Sequence, residues 1–139
     1  MTLIFELLLS RRPVSAQGTS KASRRNKRAW QDYIREEARQ SWTQAPIADR
    51  ALRFTVVYLC NGTPGDINNI IKPIQDALNG LVYVDDGLVR DVNGHMRLLS
   101  EPIDVASLPE ILRNAVLERL ECVYIRVEES SELNSEMKR

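Results

Sequence analysis

The chain has 139 residues, of which 43% are hydrophobic and 27% charged, and its formal net charge at pH 7 is zero. This size and balance predict one globular domain with a real core. No apolar run approaches the roughly 20 residues of a membrane span, which excludes a membrane-spanning class. Cys60 and Cys122 lie in apolar stretches without CxxC spacing, so we expect buried, reduced thiols and a cytoplasmic location.

Charge is unevenly distributed along the chain. The first 53 residues hold 11 Lys and Arg against 5 Asp and Glu. Within residues 11–28 there is no acid, and the basic residues are Arg11, Arg12, Lys21, Arg24, Arg25, Lys27 and Arg28. Such a segment is expected of a basic arm that binds an anion, or of a solvated loop beside a charged helix start. Composition alone leaves both readings open.

The first half of the chain predicts a strand, a helix and a second strand. The apolar residues 2–9 form the first strand, and residues 10–22, with Pro, Gly, Ser and Thr, form a loop. Ser23 is the expected N-cap of a helix that runs to about residues 40–42. Its aromatic residues fall near one face and are expected to anchor the core. The alternating, β-branched residues 52–59 form the second strand.

The second half predicts a further helix followed mainly by strands. After the turn-rich residues 61–65, helical periodicity runs from about Asn69 to Asn79, and Gly80 is a natural stop. Proline fits only the first turn of a helix, so Pro73 indicates a start close to Ile70. The remaining predicted elements are a short strand at 81–84, a strand at 88–99 that a turn at 93–94 would divide, a helix from 109 to about 118 with Ser107 as N-cap, and a strand at 120–127.

These elements predict a single α+β domain with a mixed β-sheet and about three helices over residues 1–128. The order is β-α-β-α-β-β-α-β, without internal repeats. Residues 129–139 are polar and are predicted to form a disordered tail. His95, the only histidine, falls in a predicted hairpin, where a lone histidine is more often a surface or edge-strand residue than a base. We assign it no catalytic role.

The chain between Asp66 and Asp86 is the most informative, because it places acids at both ends of a short helix. Mg²⁺ takes oxygen ligands, usually one or two carboxylates, with water and substrate phosphate completing the shell. Asp66 and Asp86 could supply the carboxylates, and Asn68 or Asp85 could add an oxygen. Lys72 could neutralise phosphate charge or hold an attacking water. In the alternative reading Asp66 only caps the helix, the second acid pair forms a turn, and Lys72 faces solvent.

This stretch resembles the signature of the RusA-type crossover-junction endodeoxyribonucleases, which resolve Holliday junctions. That signature is Asp-x-Asp-Asn, a Lys three residues later, then Asp-Ala-Leu, and an Asp-Asp pair before the next strand. Here it reads Asp66-Ile67-Asn68-Asn69, Lys72, Asp76-Ala77-Leu78 and Asp85-Asp86. The Arg12-Pro13-Val14 loop and the basic helix with Trp30 are also similar to many members. The resemblance is specific between the acid pairs and loose elsewhere.

The resemblance implies a homodimer with an α+β fold that depends on Mg²⁺ or Mn²⁺ and makes paired incisions in four-way DNA junctions. By matching position, Asp66 and Asp86 would bind metal and Lys72 would be the catalytic lysine. Asp85 and Asp76 would support them, Asp76 in a structural role on its helix. The basic residues of 11–28 would contact DNA phosphates and make binding strongly salt-dependent.

Asn68 departs from the signature, which has a carboxylate at this position. An amide oxygen can still bind a cation, but the lost charge should weaken metal binding and remove any role as a base. Three explanations remain open: a member that stays active with fewer acids, a member that binds junctions but cuts poorly, and an inactivating substitution. A fourth reading, from another class, is a protein-interaction module in which the acids and Lys72 only surround a capped helix.

Overall fold

Four strands form one sheet in the computed structural model, which describes residues 3–62 and 65–138. The strands are β1 (Leu3–Leu9), β2 (Leu52–Cys60), β3 (Val89–Leu98) and β4 (Cys122–Glu129). Their order across the sheet is β1-β4-β2-β3, in which β2 and β3 are parallel and the other neighbours antiparallel. The mixed sheet and the α+β class are therefore confirmed. Residue 2 of the predicted first strand and residues 63 and 64 of the predicted loop lie outside the described residues.

Helices lie on both faces of the sheet. They are α1 (Lys21–Arg39), α2 (Ile67–Leu78), α3 (Glu110–Leu117) and the short α4 (Leu133–Glu136). The main core forms where α1 and α2 pack on the first face, against side chains of β2 such as Phe54 and Val56. A smaller core forms on the second face, where Leu112 of α3 packs near Leu59 and Tyr124. None of the helices in the described part of the chain is long and apolar enough to cross a membrane.

The apolar face of α1 matches the prediction, but the start of the helix does not. Trp30, Ile34 and Ala38 are buried at helical spacing, so the expectation that the aromatic face anchors the core is confirmed. Ser23 is not the N-cap. The Ser20 hydroxyl caps the helix and accepts a hydrogen bond from the Ser23 backbone N–H at 3.1 Å. A serine three residues earlier thus satisfies an N–H that the helix itself leaves unpaired.

The turn expected at residues 93–94 is wrong, because β3 continues without a break through Gly94. A Cβ atom on Gly94 would lie 2.7 Å from Ile71 Cδ1 and 3.0 Å from Ile67 Cγ1. Glycine is therefore needed here to let α2 approach the strand closely, a role that it also has in other sheets. The consequence for the site is that α2 is pressed against β3, the strand that follows Asp86.

The other element boundaries differ from the predictions by a few residues. Strand β2 extends one residue further, to Cys60, and β4 begins and ends two residues later than predicted. Pro109, not Ser107, occupies the N-cap position of α3. Cys60 and Cys122 are both buried and free, as the sequence indicated.

The C-terminal segment, for which the sequence predicts disorder, contains α4 and a contact with the sheet. The Arg53 guanidinium donates to both carboxylate oxygens of Glu136, at 2.8 and 2.7 Å. Ser131 also donates to Glu136, through its backbone N–H at 3.1 Å and through its hydroxyl. Arg53 is in turn 3.4 Å from Glu128 of β4. The sequence pattern gave no sign of this contact, because its partners are far apart along the chain.

We expect Glu136→Gln to destabilise the fold near neutral pH but not in strong acid. Hydrogen bonds from Ser131, and then from Arg53, lower the pKa of Glu136 from 4.5 to about 2. Because the folded pKa is depressed, the stabilisation is complete above the unfolded pKa and is lost as the pH falls toward about 2. Urea unfolding midpoints at several pH values would measure this. Glu132→Gln is the matched control, since the Glu132 side chain makes no capping hydrogen bond. Equal effects of Glu136→Gln at neutral pH and near pH 2 would contradict the expectation.

Candidate active site

Helix α2 begins at Ile67 and its N-cap is Asp66. The Asp66 Oδ1 atom accepts a hydrogen bond from the Asn68 backbone N–H at 3.0 Å. The predicted start near Ile70 is therefore wrong by three residues. The cap holds an exposed carboxylate at the positive end of the helix dipole. Because capping uses one carboxylate oxygen, it does not exclude a ligand role for the other.

Pro73 lies well inside α2, so the expectation that it must occupy the first turn is wrong. Proline has no N–H and cannot donate to the carbonyl of Asn69, four residues earlier. The backbone N–H of Ala16 donates to that carbonyl instead, at 2.8 Å. An external donor thus offsets part of the cost of a proline inside the helix. The carbonyl of Pro73 itself accepts a hydrogen bond from Gln31 Nε2 of α1, at 3.1 Å.

After α2 the chain doubles back toward the helix. Gly80 has a positive φ of 85°, which favours glycine, and the Gly80 N–H donates to the Tyr83 carbonyl at 2.7 Å. The buried Tyr83 hydroxyl donates to the Gln75 carbonyl of α2 at 2.7 Å. The short strand predicted at 81–84 is wrong: the residues form a turn with isolated bridges from Tyr83 to Ile47 and to Asn79. This turn carries Asp86 back beside α2.

Lys72 and two carboxylates meet at this point. Lys72 Nζ lies 3.0 Å from Asp76 Oδ1 and 3.4 Å from Asp86 Oδ2. The Lys72 side chain is 56% exposed, so a substrate can reach it. The hydrogen bond to Asp76, and then the nearby Asp86, raise the pKa of Lys72 above 10.5. Lys72 is therefore an ammonium at neutral pH in this arrangement, which suits charge stabilisation at a phosphate.

The other predicted site residues lie around this cluster. Asn68 is exposed, and its spacing of four residues from Lys72, and of eight from Asp76, places all three on one face of α2. Asp85 is exposed and precedes the 3₁₀ turn that begins at Asp86. The contact between Lys72 and Asp76 was not anticipated from sequence, although the i, i+4 spacing was the available signal. Among residues 3–62 and 65–138, no group of three or more His, Cys, Asp or Glu is placed to hold a metal ion.

The basic segment flanks α2. Its loop contacts Asn69 through Ala16, and α1 contacts Pro73 through Gln31. Arg11 stacks over the Tyr33 ring at 3.8 Å, and Arg12, whose side chain is 70% exposed, lies 4.0 Å from Glu121. Arg24 donates to the carbonyl of Thr19. The structure leaves Lys27 half-buried and exposes the other predicted DNA-binding residues, which are Arg11, Arg12, Lys21, Arg24, Arg25 and Arg28.

Residues 9–103 match the family model described as Endodeoxyribonuclease RusA. The chain belongs to the RusA endodeoxyribonuclease family. Membership implies Holliday junction resolvase activity on branched DNA, and RusA nucleases generally depend on a divalent metal. The match spans the basic segment, α2 and Asp86, and it ends before α3. A comparison with curated proteins gives no match, so the assignment depends on the family model.

The donor chemistry of this chain fits the divalent metal that the RusA family uses. Asp66, Asp86 and Asp85 offer carboxylate oxygens and Asn68 an amide oxygen, and all four are exposed or half-exposed. Mg²⁺ usually takes only one or two carboxylates, with water and phosphate as its further ligands. The residue types present therefore fit the oxygen preference of such a cation.

The second face of the sheet carries separate features. His95 is exposed on β3, an edge strand, as predicted. It lines a cavity of about 360 Å³ beside α3, together with Arg97, Tyr124 and Arg126. The cavity also includes Thr55, Val57 and Leu59, which alternate along β2 with residues of the main core. His95 is therefore separated by the sheet from the acids around Lys72.

Proposed function

We propose that this RusA-family chain is a metal-dependent endonuclease that cuts four-way DNA junctions. The observation that carries the proposal is the contact of Lys72 with Asp76 and Asp86, next to the capped start of α2 and beside a basic segment. Hydrolysis of a phosphodiester needs a cationic group at the phosphate and a positioned water. The exposed cluster offers the first of these, and its oxygen donors suit a cation that can supply the second.

Lys72 would act on the scissile phosphate as a fixed positive charge. Negative charge grows on the non-bridging phosphate oxygens as water attacks, and an ammonium held in place stabilises it without reorganisation. Asp76 and Asp86 orient that ammonium. Asp66, Asn68 and Asp86, supported by Asp85, would hold Mg²⁺ or Mn²⁺. When bound, the metal lowers the pKa of a ligated water and so makes it a better nucleophile.

The basic segment would hold the DNA backbone over this cluster. Contacts of Arg and Lys with phosphates fix the position of DNA without reading its bases. Recognition of a four-way junction would then depend mainly on its shape and deformability. Paired incisions across a junction require two active sites, so we infer that the chain acts as a homodimer. We further propose that it acts in the cytoplasm, during recombination and repair.

A second function is favoured by one residue. Asn68 replaces the carboxylate of the family signature, and three-acid metal groups are absent from the described part of the chain. A protein of this kind could bind junctions tightly and cut them slowly or not at all. The basic segment supports binding equally well in both functions, so only a measurement of cleavage separates them.

The direct test is incubation of the purified protein with a synthetic four-way junction and Mg²⁺ or Mn²⁺. We expect symmetric nicks in opposite strands, which would support both the nuclease and the dimer. A linear duplex of the same sequence serves as the control and should remain intact. Binding without nicks would favour the junction-binding function. Failure to bind any DNA at low salt would contradict both and would favour a protein-interaction module.

We expect the single variants Arg25→Ala and Arg28→Ala to weaken junction binding and to reduce its salt dependence. Each phosphate contact removed should lower the slope of log K against log salt by about 0.9. Arg39→Ala is the matched control, because Arg39 lies on the same helix outside the basic segment and pairs with Glu36 at 3.7 Å. Fluorescence anisotropy over a range of salt concentrations measures the slope. An unchanged slope in both basic-segment variants would remove them from the DNA interface.

A further inference from the structure

The carbonyl group of Asn69 links two parts of the molecule that the proposed function uses separately. It belongs to α2, the helix that carries Lys72, and it accepts the Ala16 N–H of the basic segment at 2.8 Å. In an ordinary helix this carbonyl would accept the N–H of the residue four positions later. Here that residue is Pro73, which has no N–H. The proline thus leaves the acceptor free for the loop.

A second contact joins the same turn of α2 to α1. Gln31 Nε2 donates to the carbonyl of Pro73 at 3.1 Å, from a half-buried position. Gln31 lies three residues after Arg28 and seven after Arg24, so it shares a helix face with both. The loop of the basic segment, through Ala16, and helix α1, through Gln31, therefore both contact α2 within one turn, at Asn69 and at Pro73. Lys72, the adjacent residue, points to the acids at the same turn.

We propose that Pro73 is a positioning residue that aligns the basic segment with the Lys72 cluster. The effect of this alignment on DNA binding, the functional part of the inference, rests on the proposed function. The attachment of the loop to α2, the mechanical part, does not. Any other residue at position 73 would bring an N–H that competes with Ala16 for the Asn69 carbonyl. The loop would then lose a fixed attachment and regain conformational freedom, which DNA binding would have to remove again.

The mechanical part is tested by amide hydrogen exchange of Ala16 in the native protein and in Pro73→Ala. Alanine favours helix and restores the missing N–H. We expect the Ala16 amide to exchange at least about tenfold faster in the variant, as a local opening that global unfolding does not report. Pro109→Ala is the matched control, since Pro109 also adjoins a helix but lies outside α1, α2 and the basic segment. It should leave Ala16 exchange unchanged. Unchanged exchange in Pro73→Ala would overturn the inference.

The functional part is tested by junction binding and single-turnover cleavage. In Pro73→Ala the loss of the hydrogen bond from Ala16, if it is of ordinary strength, should raise the Kd for the junction about three- to tenfold. The cleavage rate at saturating protein should change less. Gln31→Met removes only the second donor and should have a smaller effect of the same kind. In a double-mutant cycle, Ala16→Pro should add little to Pro73→Ala, because both remove the same contact. Full additivity of the two would overturn the inference.

The outcomes also separate this inference from the proposed function. If the native protein neither binds nor cuts junctions, the proposed function fails. The exchange rate of Ala16 in Pro73→Ala still decides whether Pro73 anchors the loop. If junctions are cut normally by Pro73→Ala with unchanged Kd, the proposed function stands and the positioning role is overturned.

Discussion

Replacing Lys72 with methionine should reduce junction cleavage by about 10²- to 10³-fold and leave junction affinity nearly unchanged. This is the typical cost of removing one preorganised donor that stabilises developing charge. Methionine keeps most of the side-chain length and removes only the charge. Lys72 is more than half exposed, and an exposed ion pair contributes little to stability. The loss of activity should therefore appear in the cleavage rate at saturating protein, while the unfolding midpoint stays unchanged.

Lys138→Met is the matched control for this experiment, because Lys138 lies in the C-terminal segment beyond α4. It should cleave at the native rate. Asp76→Asn gives an intermediate case, since it leaves Lys72 charged and weakens the shorter of its two acid contacts. The hydrogen bond to Asp76 raises the pKa of Lys72, so the native side chain is charged at the neutral pH of the assay. Native cleavage by Lys72→Met would exclude Lys72 from catalysis.

Features with a local periodicity were predictable from the sequence. The buried face of α1 follows helical spacing, and the end of α2 before Gly80 follows from a glycine stop. The acids before and after α2 were also visible in the sequence, and one of them, Asp86, lies beside Lys72. The α+β class could be inferred from the order of the elements. In each case the signal and its consequence lie close together in the chain.

Features that depend on a distant partner were not predictable. Pro73 argues against an early start of α2 until Ala16 is known to supply the missing hydrogen bond. Gly94 suggests a turn until α2 is known to lie against it. The turn that returns the chain to α2 is held by the hydroxyl of Tyr83, which an apolar pattern reads as a strand residue. Local propensity was overridden each time by a contact between residues far apart in sequence.

Replacing Asn68 with aspartate should raise junction cleavage at limiting Mg²⁺ by about tenfold or more. The change adds a negative charge on the face of α2 that carries Lys72, two residues from Asp66, and a larger ligand charge raises affinity for hard cations. The variant should reach half-maximal cleavage at a lower Mg²⁺ concentration. Position 68 lies in the first turn of α2, where a carboxylate also stabilises the helix dipole by about 0.3–1 kcal/mol.

Asn69→Asp controls for that helix-dipole effect, because it places the same charge in the same turn but on a different face. It should stabilise α2 without a gain in cleavage, so a shift in the Mg²⁺ dependence of Asn68→Asp alone assigns position 68 to the metal. If the native chain already cuts, the site works with fewer acids than its family signature. If only Asn68→Asp cuts, the native chain is a junction-binding protein. If the native chain and Asn68→Asp both bind junctions and neither cuts them, the acids around Lys72 do not form a nuclease site.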